Sequence, residues 1–220
     1  MPDLHKLRIL IADDHELVRK GLKAMLSSRP DWALCAEAAT GREAVALAAK
    51  HRPDIVVMDI AMPELNGLEA TRKIRKMLPR TEVAILSLHY SDQLVREVLD
   101  SGARAYILKS DANRDLITAI EALRKKRSFF TSGAAQILLE GFCNPASAAE
   151  PPLIRESLTE RERETVQLLV EGKSCKEVAE TLGIAVKTAE SHRAHVMRKL
   201  KIHSVSELVR YAVRNRMIEP

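Results

Sequence analysis

Four apolar side chains followed by a carboxylate make up the segment Ile55-Val56-Val57-Met58-Asp59. Three other short apolar runs also end in polar groups: Leu7 to Ala12 in Asp13 and Asp14, Val83 to Leu86 in Ser87, and Ala105 to Leu108 in Lys109. Parallel α/β sheets carry their sites in the crevice beyond the carboxyl ends of the strands. We therefore expect three carboxylates, a hydroxyl and an ammonium to meet at one edge of a parallel sheet.

Short β-like runs alternate with amphipathic helical stretches over the first part of the chain. The runs are Leu7–Ala12, Trp32–Ala38, Asp54–Met58, Glu82–Leu86 and Ala105–Leu108. The helical stretches are His15–Ser28, Gly41–His51, Gly67–Leu78, Asp92–Ser101 and Asn113–Leu123. Such alternation predicts βαβ units with right-handed crossovers. The predicted fold is α/β, a flavodoxin-like (βα)5 domain with a five-stranded parallel sheet in the order 2-1-3-4-5.

Composition and charge narrow the classes of protein. At 220 residues the chain is long enough for one large or two small domains. Lys and Arg outnumber Asp and Glu by 35 to 30. The excess is concentrated between Val186 and Arg216, where eight basic residues stand against two acidic ones. This local imbalance indicates an anionic partner for the C-terminal part.

Cysteine usage and hydropathy bear on the compartment. Cys35, Cys143 and Cys175 are widely separated and include no CxxC pair, which argues against a disulfide framework or a zinc site and favours a reducing cytosol. No apolar stretch approaches the roughly 20 residues of a membrane span, and the polar start of the chain does not resemble a signal peptide. We expect a cytoplasmic protein without a membrane segment.

The expected carboxylate cluster has a specific chemical meaning. A lone aspartate at a strand end can equally be a helix cap or part of a surface ion pair, so the prediction depends on the set. Asp13 and Asp14 should lie beside Asp59, because strand one neighbours strand three in this order. Clustered carboxylates raise one another's pKa, and a divalent cation such as Mg²⁺ relieves that cost. Lys109 and Ser87 could then bind an arriving phosphate.

Residues 5 to 125 resemble the bacterial receiver domains, the phosphoacceptor half of two-component signalling. The resemblance is carried, in order and at suitable spacing, by Asp13-Asp14, Met58-Asp59-Ile60-Ala61-Met62-Pro63, Ser87, Tyr106 and Lys109. It implies that Asp59 takes a phosphoryl group from a sensor histidine kinase, with Mg²⁺ or Mn²⁺ as the cofactor.

The same resemblance implies a role for each matching residue. Asp14 and Asp59 would bind the metal directly, Asp13 mainly through water, and Ala61 through its carbonyl. Lys109 would pair with the phosphoryl group. Ser87 would move toward the phosphate, and the ring of Tyr106 would turn inward. Residue 105, where similar sequences often carry glycine, is alanine.

The alternation of strands and helices ends near Lys125. We predict a receiver domain at 1–125, a linker at 126–155 with room for one more helix between Phe129 and Phe142, and a helical domain at 156–220. Residues 144–152 read Asn-Pro-Ala-Ser-Ala-Ala-Glu-Pro-Pro, which is linker composition.

The last part of the chain predicts a small all-α domain of four helices. The expected helices run from the capping box of Thr159 and Glu162 to about Glu171, from Cys175 to Leu182, from Val186 to about Leu200, and from Val205 to about Met217. Two short helices joined by a tight glycine-containing turn predict a helix-turn-helix, whose second helix lies in the DNA major groove. The polar face of that helix could also be plain solvated surface, and the local basic excess favours DNA.

Residues 156 to 218 resemble the LuxR-type helix-turn-helix of NarL/FixJ-type response regulators. The matching motifs are Leu158-Thr159-Glu160-Arg161-Glu162, Gly172-Lys173-Ser174, Lys176-Glu177-Val178-Ala179, Lys187-Thr188-Ala189-Glu190-Ser191-His192-Arg193 and Lys199-Leu200. The resemblance implies base contacts from Lys187, Glu190 and Arg193. It implies phosphate contacts from Thr188, His192 and Lys201. It also implies a homodimer on DNA through Leu208, Val209 and Ala212 of the fourth helix, although some of these must face their own core.

Two residues depart from the LuxR-type pattern. Cys175 replaces the asparagine usual before Lys176, and Ala185 replaces a usual serine cap of the recognition helix. A missing cap costs about 0.5–2 kcal/mol.

Two other functions compete with a DNA-binding response regulator. An aspartyl-nucleophile phosphatase would carry a second aspartate two residues after the nucleophile, where this chain has Ala61. We therefore expect a switch and not an enzyme, with slow autodephosphorylation at most. The helical domain could instead bind protein or RNA, which a salt-dependent shift with duplex DNA would decide. The kinase, the signal, the operator, activation or repression, the unphosphorylated oligomeric state and any masking of the recognition helix stay open.

Overall fold

The computed structural model describes residues 6–88, 90–131, 134, 158–215 and 217–218. The chain divides into two compact units, Met1–Pro145 and Ala146–Pro220, so the division falls within the range predicted as a linker. Among the described residues, no helix combines the length and the apolar character needed to cross a membrane.

The first unit is built on a parallel sheet. Its strands are β1 (Leu7–Ala12), β2 (Trp32–Ala38), β3 (Ile55–Asp59), β4 (Glu82–Ser87), β5 (Ala105–Leu108) and β6 (Phe129–Phe130). They lie in the order β2-β1-β3-β4-β5-β6, and every neighbouring pair is parallel. The predicted parallel α/β sheet and the order of its first five strands are confirmed.

The prediction of five strands was wrong, because the sheet has a sixth. Phe129 pairs with Ala105 and Phe130 with Tyr106, and the backbone N–H of Phe129 donates to Arg104 O at 2.9 Å. The two rings pack against the apolar clusters on opposite faces of the sheet. A two-residue strand is too short for an alternating pattern. One more helix was expected within Phe129 to Phe142, and most of that range lies outside the described residues.

Helices cover both faces of the sheet. They are α1 (Glu16–Ser27), α2 (Gly41–His51), α3 (Gly67–Met77), α4 (Asp92–Asp100) and α5 (Ala112–Arg124), with a short 3₁₀ turn at Lys109–Asp111. Successive strand residues point to opposite faces. Val56 and Met58 therefore enter the core under α2, α3 and α4, whereas Ile55 and Val57 enter the core under α1 and α5. A sheet buried on both faces explains the nearly unbroken apolar runs of the strands.

Local side-chain chemistry sets where α3 begins, next to the end of β3. Asn66 accepts a hydrogen bond from the backbone N–H of Glu69 and so caps the helix, as predicted. A Cβ atom on Gly67 would lie 1.8 Å from the carbonyl oxygen of Asp59. Only glycine allows the helix to approach the strand end this closely.

The second unit contains four described helices: α6 (Glu160–Val170), α7 (Cys175–Leu182), α8 (Val186–Lys199) and α9 (Val205–Arg214). The capping box of Thr159 and Glu162 forms as predicted, and Ser174 with Glu177 forms a second one. Gly183 ends α7 with φ +64°, so α7 and α8 are separated by a short turn. This is the predicted helix-turn-helix order.

Candidate functional site

Three aspartates meet at the carboxyl edge of the sheet. Asp13 and Asp14 follow β1, Asp59 ends β3, and the register places Ala12 opposite Met58. One ligand atom from each of these aspartates and one from His15 all lie within 4.8 Å of one another. The parallel pairing of β1 and β3 therefore brings together groups that are 45 positions apart, as the sequence predicted.

Lys109 contacts two of these carboxylates. Its Nζ atom lies 2.8 Å from Asp13 Oδ2 and 2.9 Å from Asp59 Oδ2, and its side chain is 10% exposed. It reaches them from the turn that follows β5. One ammonium thus compensates two buried carboxylates, while Asp14 adds a third negative charge at the rim.

The buried oxygens of this pocket have capacity for a cation. Asp13 and Asp59 are 0% and 2% exposed. Backbone N–H groups of His15 and Ile60 donate to their Oδ1 atoms, each at 2.8 Å. Among the described residues, the two Oδ2 atoms accept no hydrogen bond of good geometry, although Lys109 lies within ion-pair distance of both. A set of carboxylate oxygens whose two buried members share a single ammonium fits Mg²⁺ or Mn²⁺.

The electrostatics of the pocket oppose ionisation of its central carboxylate. Burial raises the pKa of Asp59 to about 7, the Lys109 ammonium lowers it, and the charges of Asp13 and Asp14 raise it again. Burial lowers the pKa of Lys109, but the two carboxylates more than offset this effect, and the net pKa is raised. A divalent cation would favour the ionised carboxylates.

The predicted switch residues lie on β4, which is next to β3, and on β5, the following strand of the sheet. Ser87 ends β4 and is 5% exposed, and Tyr106 on β5 is fully buried. The Tyr106 ring lies 6.3 Å from the ring of Tyr90, centroid to centroid, at 46°. The structure therefore shows the ring in the inward position. Ala61 lies in the turn between β3 and α3, and the role of its carbonyl stays a prediction.

His15, the first residue of a predicted helical stretch, also lies beside the carboxylate pocket. Its side chain is 59% exposed, yet Nδ1 lies 2.7 Å from Asp14 Oδ1 and 3.5 Å from Asp13 Oδ1. Its position directly after two aspartates was the available signal.

The predicted DNA-binding residues are mostly exposed on α8. Lys187, Thr188, Glu190 and Arg193 are exposed and His192 is half-buried, whereas Ala189 and Val196 are buried. Lys201 is exposed just beyond the helix. The helix thus turns its polar residues outward and its few apolar ones into the core, which is the arrangement that a groove-binding helix needs.

Glu162 connects the start of α6 to the end of α8. Its carboxylate closes the capping box on Thr159 and lies 2.9 Å from Lys199 Nζ and 3.3 Å from His195 Nε2. Burial raises the pKa of Glu162, but hydrogen bonds from Lys199 and Thr159 outweigh it and hold the pKa below its usual value. The contact fixes the orientation of the recognition helix within its own unit.

Two of the three predicted dimerisation residues are corrected. Leu208 and Ala212 are 1% and 0% exposed and belong to the core that α6, α8 and α9 share. Side chains buried in their own domain present no surface to a second copy. Val209 is half-buried and stays a prediction.

Two family comparisons match the two units. Residues 9–121 match the family described as "Response regulator receiver domain". Residues 156–212 match "Bacterial regulatory proteins, luxR family". Together these matches cover the pocket at the sheet edge and the helix-turn-helix.

Individual relatives agree with this pairing along the whole chain. Oxygen regulatory protein NreC of Staphylococcus epidermidis is 36% identical over 97% of this chain and 100% of its own length. Transcriptional regulatory protein LiaR of Bacillus subtilis is 35% identical over 96% and 99%. The solved structure of RcsB from Salmonella enterica serovar Typhimurium, bound to a promoter in the presence of BeF3−, has a TM-score of 0.59 and 22% identity over 94% of this chain and 98% of that chain, and shows the fold. This chain therefore belongs to the two-component response regulators of the NarL/FixJ type, DNA-binding regulators of transcription that join a receiver domain to a LuxR-type helix-turn-helix.

Proposed function

We propose that Asp59 is the phosphoacceptor and that a sensor histidine kinase supplies the phosphoryl group. Asp14 and Asp59 would hold Mg²⁺ or Mn²⁺ directly, Asp13 through water, and Ala61 through its backbone carbonyl. The observation that carries this proposal is the contact of one ammonium, Lys109, with two buried carboxylates whose Oδ2 atoms are otherwise unsatisfied among the described residues.

Asp59, Ile60 and Lys109 would each contribute to the phosphoryl transfer. The backbone N–H of Ile60 holds Asp59 Oδ1, which leaves Oδ2 to attack the phosphorus in line while the bond from phosphorus to the imidazole nitrogen of the kinase breaks. Lys109 already lies beside Oδ2 and would pair with the oxygens of the transferred group. A bound divalent cation supplies the remaining charge neutralisation. Positioning and electrostatics account for the transfer, and no further catalytic group is required.

The product is an acyl phosphate on a switch and not an enzyme intermediate. A phosphatase would need a general acid two residues after Asp59, and Ala61 offers none. Slow autodephosphorylation by water is the activity that we expect of this pocket. Ser87 would donate its hydroxyl to the bound phosphate, and that contact would favour the inward position of Tyr106 over other positions of the ring.

We further propose that α8 enters the major groove of double-stranded DNA. Lys187, Glu190 and Arg193 would contact base edges, because they are exposed within the first eight residues of the helix. Thr188, His192 and Lys201 would contact phosphates. A homodimer, formed on phosphorylation or on DNA and using Val209, and a cytoplasmic location complete the proposal. Membership of the family supports both.

A direct test asks whether phosphorylation of the receiver domain changes the DNA affinity of the helix-turn-helix. The full chain, with and without acetyl phosphate and Mg²⁺, is titrated with duplex DNA carrying a selected binding site, and Asp59→Asn serves as the matched control. The proposal expects phosphodonor to change DNA affinity in the wild type and to leave the Asp59→Asn protein unchanged. An equal response of both proteins would contradict it.

A further inference from the structure

The imidazole of His15 belongs to the carboxylate pocket by geometry. Its Nδ1 atom lies 2.7 Å from Asp14 Oδ1 and 3.5 Å from Asp13 Oδ1. Ligand atoms of His15, Asp13, Asp14 and Asp59 all lie within 4.8 Å of one another. Ligands on opposite sides of a six-coordinate divalent ion are about 4 Å apart, so His15 is close enough to share one ion with these aspartates, directly for Asp14 and Asp59 and through a water for Asp13.

Capping of α1 does not account for histidine at this position. His15 is the N-cap residue of α1, and its side chain makes no capping hydrogen bond. By contrast, Thr40, Asn66 and Ser91 each cap the helix that they precede. Serine, aspartate or asparagine would stabilise the start of α1 better. The ring turns instead toward the carboxylates, which points to a role in the pocket.

We propose that His15 is an inner ligand of this pocket for divalent first-row transition ions and makes the site prefer them to Mg²⁺. Imidazole suits Co²⁺, Ni²⁺ and Zn²⁺, whereas Mg²⁺ takes oxygen ligands. The proposal rests on the metal site in the proposed function and adds a nitrogen donor to its carboxylates. The gain from His15 is larger for Co²⁺ than for Mn²⁺, following the affinity order of these ions for nitrogen and oxygen sites, and imidazole also suits Zn²⁺.

Buried oxygens support an ion in this place independently of the histidine. Asp13 and Asp59 are almost fully buried, and their Oδ2 atoms accept no well-formed hydrogen bond among the described residues. Both atoms face Lys109 in the same pocket. Exposed His15 lies at the open side, where an ion would otherwise keep a water. The imidazole would replace one water of the ion and leave the carboxylate contacts in place.

The test compares metal affinities of the full chain with one histidine changed at a time. His15→Asn removes the ring and keeps a side chain that can cap α1. The control, His51→Asn, removes a ring from the last turn of α2. Calorimetric titrations with Mg²⁺, Co²⁺ and Zn²⁺ give the affinity of each protein. Pulsed EPR of bound Mn²⁺ detects a directly coordinated nitrogen, and circular dichroism checks that each variant folds.

We expect His15→Asn to lower the affinity for Co²⁺ and for Zn²⁺ on the order of tenfold or more. Even the loss of a residue that only hydrogen-bonds to a metal ligand lowers metal affinity about 10–100-fold. Mg²⁺ affinity should stay unchanged, the nitrogen signal should vanish, and His51→Asn should match the wild type. Three results would overturn the proposal: an equal loss of affinity for Mg²⁺ and Co²⁺, an unchanged affinity for Co²⁺, or an EPR signal of coordinated nitrogen that persists in His15→Asn. If the wild type binds none of these ions, the metal site in the proposed function fails as well.

Discussion

The Nζ atom of Lys109 lies 2.9 Å from Asp59 Oδ2, joining the end of β5 to the end of β3 across the strand between them. The same ammonium lies 2.8 Å from Asp13. The charges of these three ionisable groups, each with a side chain no more than 10% exposed, are therefore electrostatically coupled. A change in any of them should alter the other two, and this coupling can be measured without a kinase.

Asp59→Asn should stabilise the receiver unit in metal-free buffer at neutral and alkaline pH. The folded-state pKa is about 7 against an ordinary 3.8, so the folded state binds more protons between these values. Stability contributed by Asp59 is therefore lost as pH rises through that window. The gain from Asn should be on the order of 3 kcal/mol at pH 8 and much smaller at pH 5.

Urea unfolding at the two pH values, with and without Mg²⁺, measures this effect. Mg²⁺ should reduce the difference in free energy of unfolding between the two proteins. The ion should stabilise the wild type more, because only the wild type keeps all three carboxylates. Asp100→Asn, an exposed change at the end of α4, is the matched control. A gain in stability that is the same at pH 5 and pH 8 would show that burial of the charge is not its cause.

Lys109→Met should have the opposite effect. It leaves Asp13 and Asp59 buried without a cation, and removing one partner of a buried ion pair costs about 3–5 kcal/mol. Added Mg²⁺ should recover part of this loss. In the same unfolding experiment at pH 8, the double variant Lys109→Met with Asp59→Asn should lose clearly less stability than Lys109→Met alone. Additive effects of the two changes would mean that the contact carries no coupling energy.

Much of the fold and of the pocket could be predicted because strong local patterns encode them. Apolar runs with a polar residue at the end placed Asp13, Asp14, Asp59 and Lys109 at one edge, and the structure brings them together there. Asn66 and Thr159 were recognisable as caps because their side chains bond to nearby backbone.

Other features depend on tertiary contacts that no local pattern reports. Phe129 and Phe130 are a strand because the edge of β5 is available to them. Leu208 and Ala212 look like an apolar helix stripe in sequence, and only the packed helices show that their own core takes them. The orientation of the His15 ring depends on where Asp14 lies in space.

Ala185→Ser should stabilise the helical unit. Ala185 is in the N-cap position of α8 and supplies no side-chain hydrogen bond, and a serine there is worth about 0.5–2 kcal/mol. A gain of 1 kcal/mol raises the melting temperature of a domain this size by roughly 4–8 °C. Calorimetry of fragment 150–220 checks the shift.

Ser204→Ala is the reciprocal control, because Ser204 does accept a hydrogen bond from Glu207 N and caps α9. It should lower the melting temperature by a similar amount. An Ala185→Ser fragment that melts at the same temperature as the wild type, or below it, would refute the missing cap.

Lys187→Ala and Lys201→Ala should weaken DNA binding in different ways. Loss of a base contact at Lys187 should cost about 1–3 kcal/mol and relax specificity at one base pair. Loss of a phosphate contact at Lys201 should weaken binding to all DNA sequences alike. It should also reduce the slope of log affinity against log salt concentration by about 1. Titrations of operator and scrambled duplexes at several salt concentrations separate the two. A Lys187→Ala protein with unchanged sequence preference would remove that residue from the base contacts.

The central claim is that Asp59 receives the phosphoryl group. Incubation of the full chain with acetyl phosphate and Mg²⁺, followed by intact-mass spectrometry, tests it most directly. We predict that the wild type gains the mass of one phosphoryl group, that chelation of the metal abolishes the gain, and that Asp59→Asn shows none. A wild type that gains no mass, or an Asp59→Asn protein modified to the same extent, would contradict the assignment.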